Sequence, residues 1–181
     1  QEHAPAWPGL GLALSEVESL KGLLLVGCHV REQAPLMAHR VRKAALAGAQ
    51  VSLLVTRPQE SNFPVAQQIV VTPADLLTEL AGMLRAAIEH SGSQAPAAVA
   101  SLTASATISD AHRAVVASLG SGHGAIVLGG IAMRHTRFAD LRAAAAALSA
   151  LTGATLGYLP DGGNAAGAAL AGALPHRLPG G

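Results

Sequence analysis

The chain has 181 residues, half of them hydrophobic, 2% aromatic, and a formal net charge of +1. A chain of this length suits one domain that buries roughly 70% of the surface its unfolded form exposes, so a core forms without disulfides or metal. The near-neutral charge, the scattered Lys and Arg and the scarce aromatics argue against a nucleic-acid surface, and the single cysteine, Cys28, excludes an intrachain disulfide framework and a Cys-cluster metal site.

Ser15-Glu16-Val17-Glu18 has the pattern of a capping box opening a short helix, with Gly22 as its stop. The apolar run Leu23–Val26 predicts a strand buried on both faces. Pro35 suits the first position of a helix whose inner face is Met37, Val41 and Ala45, ending at Gly48. Residues 51–55 predict a second strand, and residues 57–67 a polar loop. A short third strand is predicted over 68–71. Thr72, Pro73 and Asp75 then predict the start of a helix carrying Leu76, Leu80, Met83, Leu84 and Ala87 as a stripe of period 3.6, ending near His90.

The Ser-, Ala-, Gln- and Pro-rich segment 91–108 predicts an irregular surface connection. Ser109 caps the next predicted helix, which bears Val115, Val116 and Leu119 and closes at Gly120-Ser121-Gly122. A strand over 125–128 leads to Gly129-Gly130. A helix carrying Phe138, Leu141, Ala145, Leu148 and Leu151 stops at Gly153, and a last strand covers 155–159. A small-residue helix is predicted from Ala165 to about Ala173. The alternation predicts an α/β domain over residues 1–181, with an open, mainly parallel sheet and helices on both faces, Rossmann-like in type.

In such folds ligands bind beyond the carboxyl ends of the strands. The candidate loops are Gly27-Cys28-His29-Val30, Gly129-Gly130-Ile131 and Asp161-Gly162-Gly163-Asn164. In the third, glycines let backbone approach a ligand at a helix N-terminus; as a plain strand-to-helix turn, Asn164 would cap the helix. Cys28 beside His29 suggests a nucleophile, but neighbouring residues in a loop usually point apart and a catalytic pair needs contact. Gly120-Ser121-Gly122-His123-Gly124 follows a helix and precedes a strand, the reverse of a dinucleotide fingerprint. The eight histidines show no metal-ligand spacing. Arg134, His135 and Arg137 form the densest positive group, suited to an acidic partner or to a solvated helix entrance. The reading from these residues is no catalytic residue, no metal and no intact cofactor site.

Two stretches carry a family resemblance: Leu23 to Pro35 continuing through His39–Ala49, and Gly163 to Arg177, which runs Gly-Asn-Ala-Ala-Gly-Ala-Ala-Leu-Ala-Gly-Ala-Leu-Pro-His-Arg. Together they resemble the C-terminal, molybdopterin-oxidoreductase-like region of the large iron–sulfur subunit of bacterial NADH-quinone oxidoreductase (respiratory complex I). The resemblance spans roughly residues 12–181 in element order, and its second stretch is the more specific.

It implies a place in a membrane-bound NADH dehydrogenase that passes electrons from NADH to quinone. The partners implied are the rest of the same subunit and neighbouring subunits. The location implied is peripheral, on the cytoplasmic side of the inner membrane, with no direct membrane insertion. The iron–sulfur clusters are expected in an N-terminal part absent from this sequence, which makes it a fragment of a larger subunit with no cofactor of its own. A start at Gln1 without Met and an end at Pro179-Gly180-Gly181 fit that expectation.

Active molybdopterin enzymes usually carry Asn-Pro after the first strand's glycine and an Asp-Pro-Arg-like turn after the second strand. Here the positions read Gly27-Cys28-His29-Val30 and Val55-Thr56-Arg57-Pro58. The departures imply a vestigial site, for which Gly27, Cys28, His29, Gly129, Gly130, Gly163 and Asn164 are the remaining candidates. Two alternatives stay open: a working nucleotide- or molybdopterin-binding domain of an oxidoreductase, and an unrelated α/β module such as the central domain of a thiamine enzyme.

Overall fold

The structure is a computed structural model and describes residues 8–173. Five parallel strands, β1 (Gly22–Val26), β2 (Gln50–Val55), β3 (Gln67–Val70), β4 (Gly124–Leu128) and β5 (Thr155–Tyr158), form one sheet in the order β3-β2-β1-β4-β5. The helices are α1 (Val30–Gln33), α2 (Pro35–Leu46), α3 (Leu76–Ser91), α4 (Ala100–Ala104), α5 (Asp110–Leu119), α6 (Gly130–Met133), α7 (Phe138–Thr152) and α8 (Ala165–Leu170).

Alternation along the strands builds a core on each face. Leu24, Val26, Leu54, Ile126 and Leu128 face the buried stripes of α3, α5 and α7. Leu23, Leu25, Leu53, Val55 and Val127 face Met37, Ala38 and Val41 of α2. The chain crosses from β1 to β2 in one direction and from β4 to β5 in the other. Crossovers of one hand therefore place α2 and α7 on opposite faces. Every residue of the predicted α3 stripe, Leu76, Leu80, Met83, Leu84 and Ala87, is buried.

Several local expectations are corrected. Ser15 makes no side-chain cap. The segment Glu16–Ser19 is a 3-10 turn, in which Ala13 N–H donates to Glu16 Oε2 at 2.6 Å, while Glu18 is drawn away to pair with Arg40 and Lys43. Gly22 does not stop a helix; it begins β1. A Cβ there would lie 2.5 Å from the Ser118 carbonyl carbon and 3.0 Å from Leu119 N, so glycine lets β1 start against the end of α5. Thr72 caps no α-helix directly, because a 3-10 turn, Pro73–Asp75, precedes α3, and Thr72 Oγ1 donates to Asp75 Oδ2 at 2.6 Å.

The connection 91–108 is not wholly irregular. It contains a 3-10 turn, Ala97–Val99, and α4, anchored by buried Val99, Thr103 and Ala106. The third strand, predicted as 68–71, is Gln67–Val70, and the last, predicted to 159, ends at Tyr158. The last helix ends at Leu170 rather than near Ala173. The stretch Leu174–Arg177 and the terminal Pro179-Gly180-Gly181 lie outside the described residues. Among those described, no helix is long and apolar enough to cross a membrane.

Candidate functional site

The strand order reverses between β1 and β4, and the crevice beyond their carboxyl ends is where this architecture ordinarily receives a ligand. Three loops meet there, and the chain packs them against one another. Gly27 turns the chain out of β1 with φ +59°, a left-handed conformation that glycine adopts without a Cβ penalty. It also lies under α6, since a Cβ at Gly27 would come within 2.6 Å of Ala132 N. Its carbonyl accepts from Ile131 N–H at 3.0 Å. A Cβ on Gly129 would sit 2.6 Å from Cys28 Cα and 2.8 Å from Gly27 O, so Cys28 occupies the space directly against that glycine. At Gly130 the neighbour is the Asp161 carboxyl, 2.7 Å from a would-be Cβ at its Cγ. Asp161 is itself paired with Arg134.

Two backbone groups of the first loop are engaged by nearby side chains, while His29 Nδ1 is buried without a hydrogen-bond partner among the described residues. His29 N–H donates to Gln33 Oε1 at 3.0 Å, and Gln59 Nε2 donates to the Cys28 carbonyl at 3.2 Å. Glu32 lies 2.8 Å from His29 Nδ1 and 3.2 Å from Arg57 Nη2. His29 first, then Arg57 and Arg31, hold the Glu32 carboxyl below the usual carboxylate range. Cys28 is 1% exposed, and burial pushes its thiol up to about 12. Burial and a raised pKa both disfavour the thiolate, which is the nucleophilic form.

The structure thus brings Gly27, Cys28, Gly129 and Gly130 together, with His29 half-buried beside them. Gly163 and Asn164 stand apart in an exposed turn. Among the described residues, and apart from its chain neighbours, nothing comes within 4 Å of a Cβ built on Gly163, and Asn164 occupies the N-cap of α8 without a side-chain cap bond, so its expected capping role is not realised. Among the described residues no group of three or more His, Cys, Asp or Glu is placed to hold a metal ion. His3 and His176 lie outside the described residues.

One polar arrangement escaped the sequence reading. His112 is 3% exposed and completes a reciprocal cap at the start of α5: its N–H donates to Ser109 Oγ, and its Nδ1 accepts from Ser109 N–H, both at 3.2 Å. Nδ1 being an acceptor, the neutral ring carries its proton on Nε2, which donates to Glu79 Oε2 at 2.8 Å. Gly82 makes the room, since a Cβ there would lie 2.7 Å from His112 Nδ1. The usual capping signal has Glu or Gln three residues after the Ser, which is why Ser109 was readable as a cap and His112 as its partner was not. Glu79 in turn lines an open cleft of about 610 Å³ beyond β2 and β3, with Thr56, Thr72, Asp75 and Thr78. A separate cavity of about 360 Å³ lies between α3, α4 and the α6–α7 junction.

Comparison with known proteins leaves the identification to these features: no family model and no curated protein matches the chain.

Proposed function

We propose that this is a non-catalytic α/β domain, a cofactor-binding fold whose ligand crevice has been given over to internal packing. More particularly, it serves as a structural domain in the large iron–sulfur subunit of an NADH-quinone oxidoreductase, held on the cytoplasmic face of the inner membrane by its neighbours. The observation that carries the first step is the contact of Cys28 with Gly129, seconded by Asp161 over Gly130 and by Ala132 against Gly27. Groups that a nucleotide would meet at these loops instead meet one another. A fold supports this change readily, because the sheet is stabilised by its two cores while binding is decided by a few loop residues. The second step rests on the likeness of residues 23–49 and 163–177 to that subunit, with Asn-Pro and Asp-Pro-Arg replaced at the positions around the pterin nucleotide.

Thermal unfolding with and without guanine nucleotides and extracted molybdopterin guanine dinucleotide tests the first step. An unchanged melting temperature well above micromolar ligand is expected. A saturable rise would restore the alternative, a working nucleotide or molybdopterin site, because a ligand that binds only the folded state stabilises it by mass action. The second step is tested on detergent-solubilised membranes of the source organism. Antibody against the chain is expected to deplete NADH-quinone oxidoreductase activity, and full activity left in the depleted extract would remove the assignment to that enzyme.

A further inference from the structure

The cavity between α3, α4 and the α6–α7 junction is apart from the packed crevice, and the function proposed above makes no use of it. Its volume, about 360 Å³, lies inside the range of roughly 300–1,000 Å³ common to small-molecule sites. Leu77, Ala81 and Leu102 give it an apolar wall, and Ser101, His135 and Arg137 contribute polar groups.

His135 has a defined tautomer. Its Nδ1 accepts from Arg137 N–H at 3.0 Å, so the proton of the neutral ring sits on Nε2. That Nε2 is buried and has no hydrogen-bond partner among the described residues, and a buried donor without an acceptor is a rare, unfavourable arrangement. Arg137 occupies the N-cap of the 15-residue α7. It binds Asp140 Oδ2 through Nε at 2.8 Å, a geometry that leaves its terminal nitrogens for a further acceptor.

The geometry points to this cavity as the binding site of a small organic acid. Its carboxylate accepts from His135 Nε2–H and from the Arg137 guanidinium, and its short apolar body lies against Leu77 and Leu102. Because Nε2 is covered in the free chain, binding includes a local shift of the cavity wall, and the affinity is expected in the millimolar range. A bare phosphate shares the anionic head but not the apolar body.

The test follows the histidine ring resonances of the full chain by NMR during titration with hexanoate, with hexanol and inorganic phosphate in parallel. The His135 signal is identified as the one lost in His135→Gln. Hexanoate is expected to shift it saturably, phosphate to bind more weakly, and hexanol to leave it unmoved. Arg137→Met, at an exposed side chain, is expected to weaken hexanoate about tenfold, as for loss of one charged hydrogen bond. An unmoved His135 signal at tens of millimolar hexanoate overturns the proposal, as does equal binding of hexanol or unchanged affinity in Arg137→Met. Tighter binding of phosphate overturns the apolar part of the assignment. A ligand in the β1–β4 crevice would instead shift the ring signal of His29, which lies in the loop after β1, so failure here and failure of the structural reading are separable.

Discussion

The crevice between β1 and β4 and the cavity between α3, α4 and α7 are opposites. The first lies where the architecture ordinarily binds a ligand, yet its glycines are pressed against Cys28, Ala132 and Asp161. The second has no place in the general rule, yet it keeps open volume and an unmatched donor on His135. The difference teaches that glycines at strand ends report close approach without saying what approaches. A glycine that admits a phosphate and one that admits a neighbouring loop look alike in sequence.

The largest expected effect is in the crevice. Gly129→Ala should destabilise the chain by about 3 kcal/mol, the upper part of the range for overpacking, because the new methyl meets the Cys28 backbone and Gly27 O. Gly129 has φ −92°, so alanine suffers no backbone strain and the cost is contact alone. Urea unfolding measures it, and a loss under about 0.5 kcal/mol, the level of a neutral surface change, would show that the crevice has slack and would undercut the packed reading.

His112→Ala comes next, with an expected loss of about 2 kcal/mol, since it strands Ser109 N–H and removes the Glu79 partner. The same denaturant experiment reads it, and nucleotide addition should change nothing.

Cys28 supplies the pH-dependent contrast. Its folded-state pKa is raised to about 12 from an ordinary value of 9.0. Below pH 9 the thiol is protonated folded and unfolded, and it contributes no pH dependence. Between about 9 and 12 the unfolded chain releases the proton while the folded chain keeps it, so stability falls with rising pH by about 1.4 kcal/mol per unit. Unfolding of the native protein and Cys28→Ala should therefore converge or cross as pH rises through that window. Parallel curves would mean that solvent reaches Cys28. A thiol reagent at pH 8 gives the matching kinetic readout, with modification expected only upon unfolding.

The smallest effect belongs to neither region. Leu36 is 76% exposed on α2, and Leu36→Ser should change stability by no more than about 0.5 kcal/mol. A marked gain in solubility with unchanged stability would mark that face of α2 as one covered by a neighbour in the assembly.

Much of the fold was legible because the pattern was strong. The apolar runs at 23–26, 51–55 and 125–128 became the three central strands, and the stripe from Leu76 to Ala87 became the core of α3. Gly153 stops α7 with φ +73°, as the sequence implied. The short helices α1, α4 and α6 were not legible. Segments of 4 or 5 residues are too short to show a period of 3.6, and each is held by buried residues of its own, Val30, Thr103 and Ala132 among them. The candidate residues divide likewise. Gly27, Cys28, Gly129 and Gly130 converge because β1 and β4 are neighbours in register, Val26 beside Leu128, whereas Gly163 and Asn164 follow edge strand β5 and remain exposed.

By itself the sequence determined an α/β sheet, the C-terminal stops of α3, α5 and α7 and the lack of a metal-binding pattern, since all of these follow from local periodicity, turn residues and residue type. Only the tertiary structure decided that β1 and β4 sit side by side, that Cys28 fills the space against Gly129, and that His135 and Arg137 border a cavity formed by elements more than thirty residues away in the chain. Those outcomes depend on which strands pair and on what each glycine allows to come close, and no short window of residues carries that information.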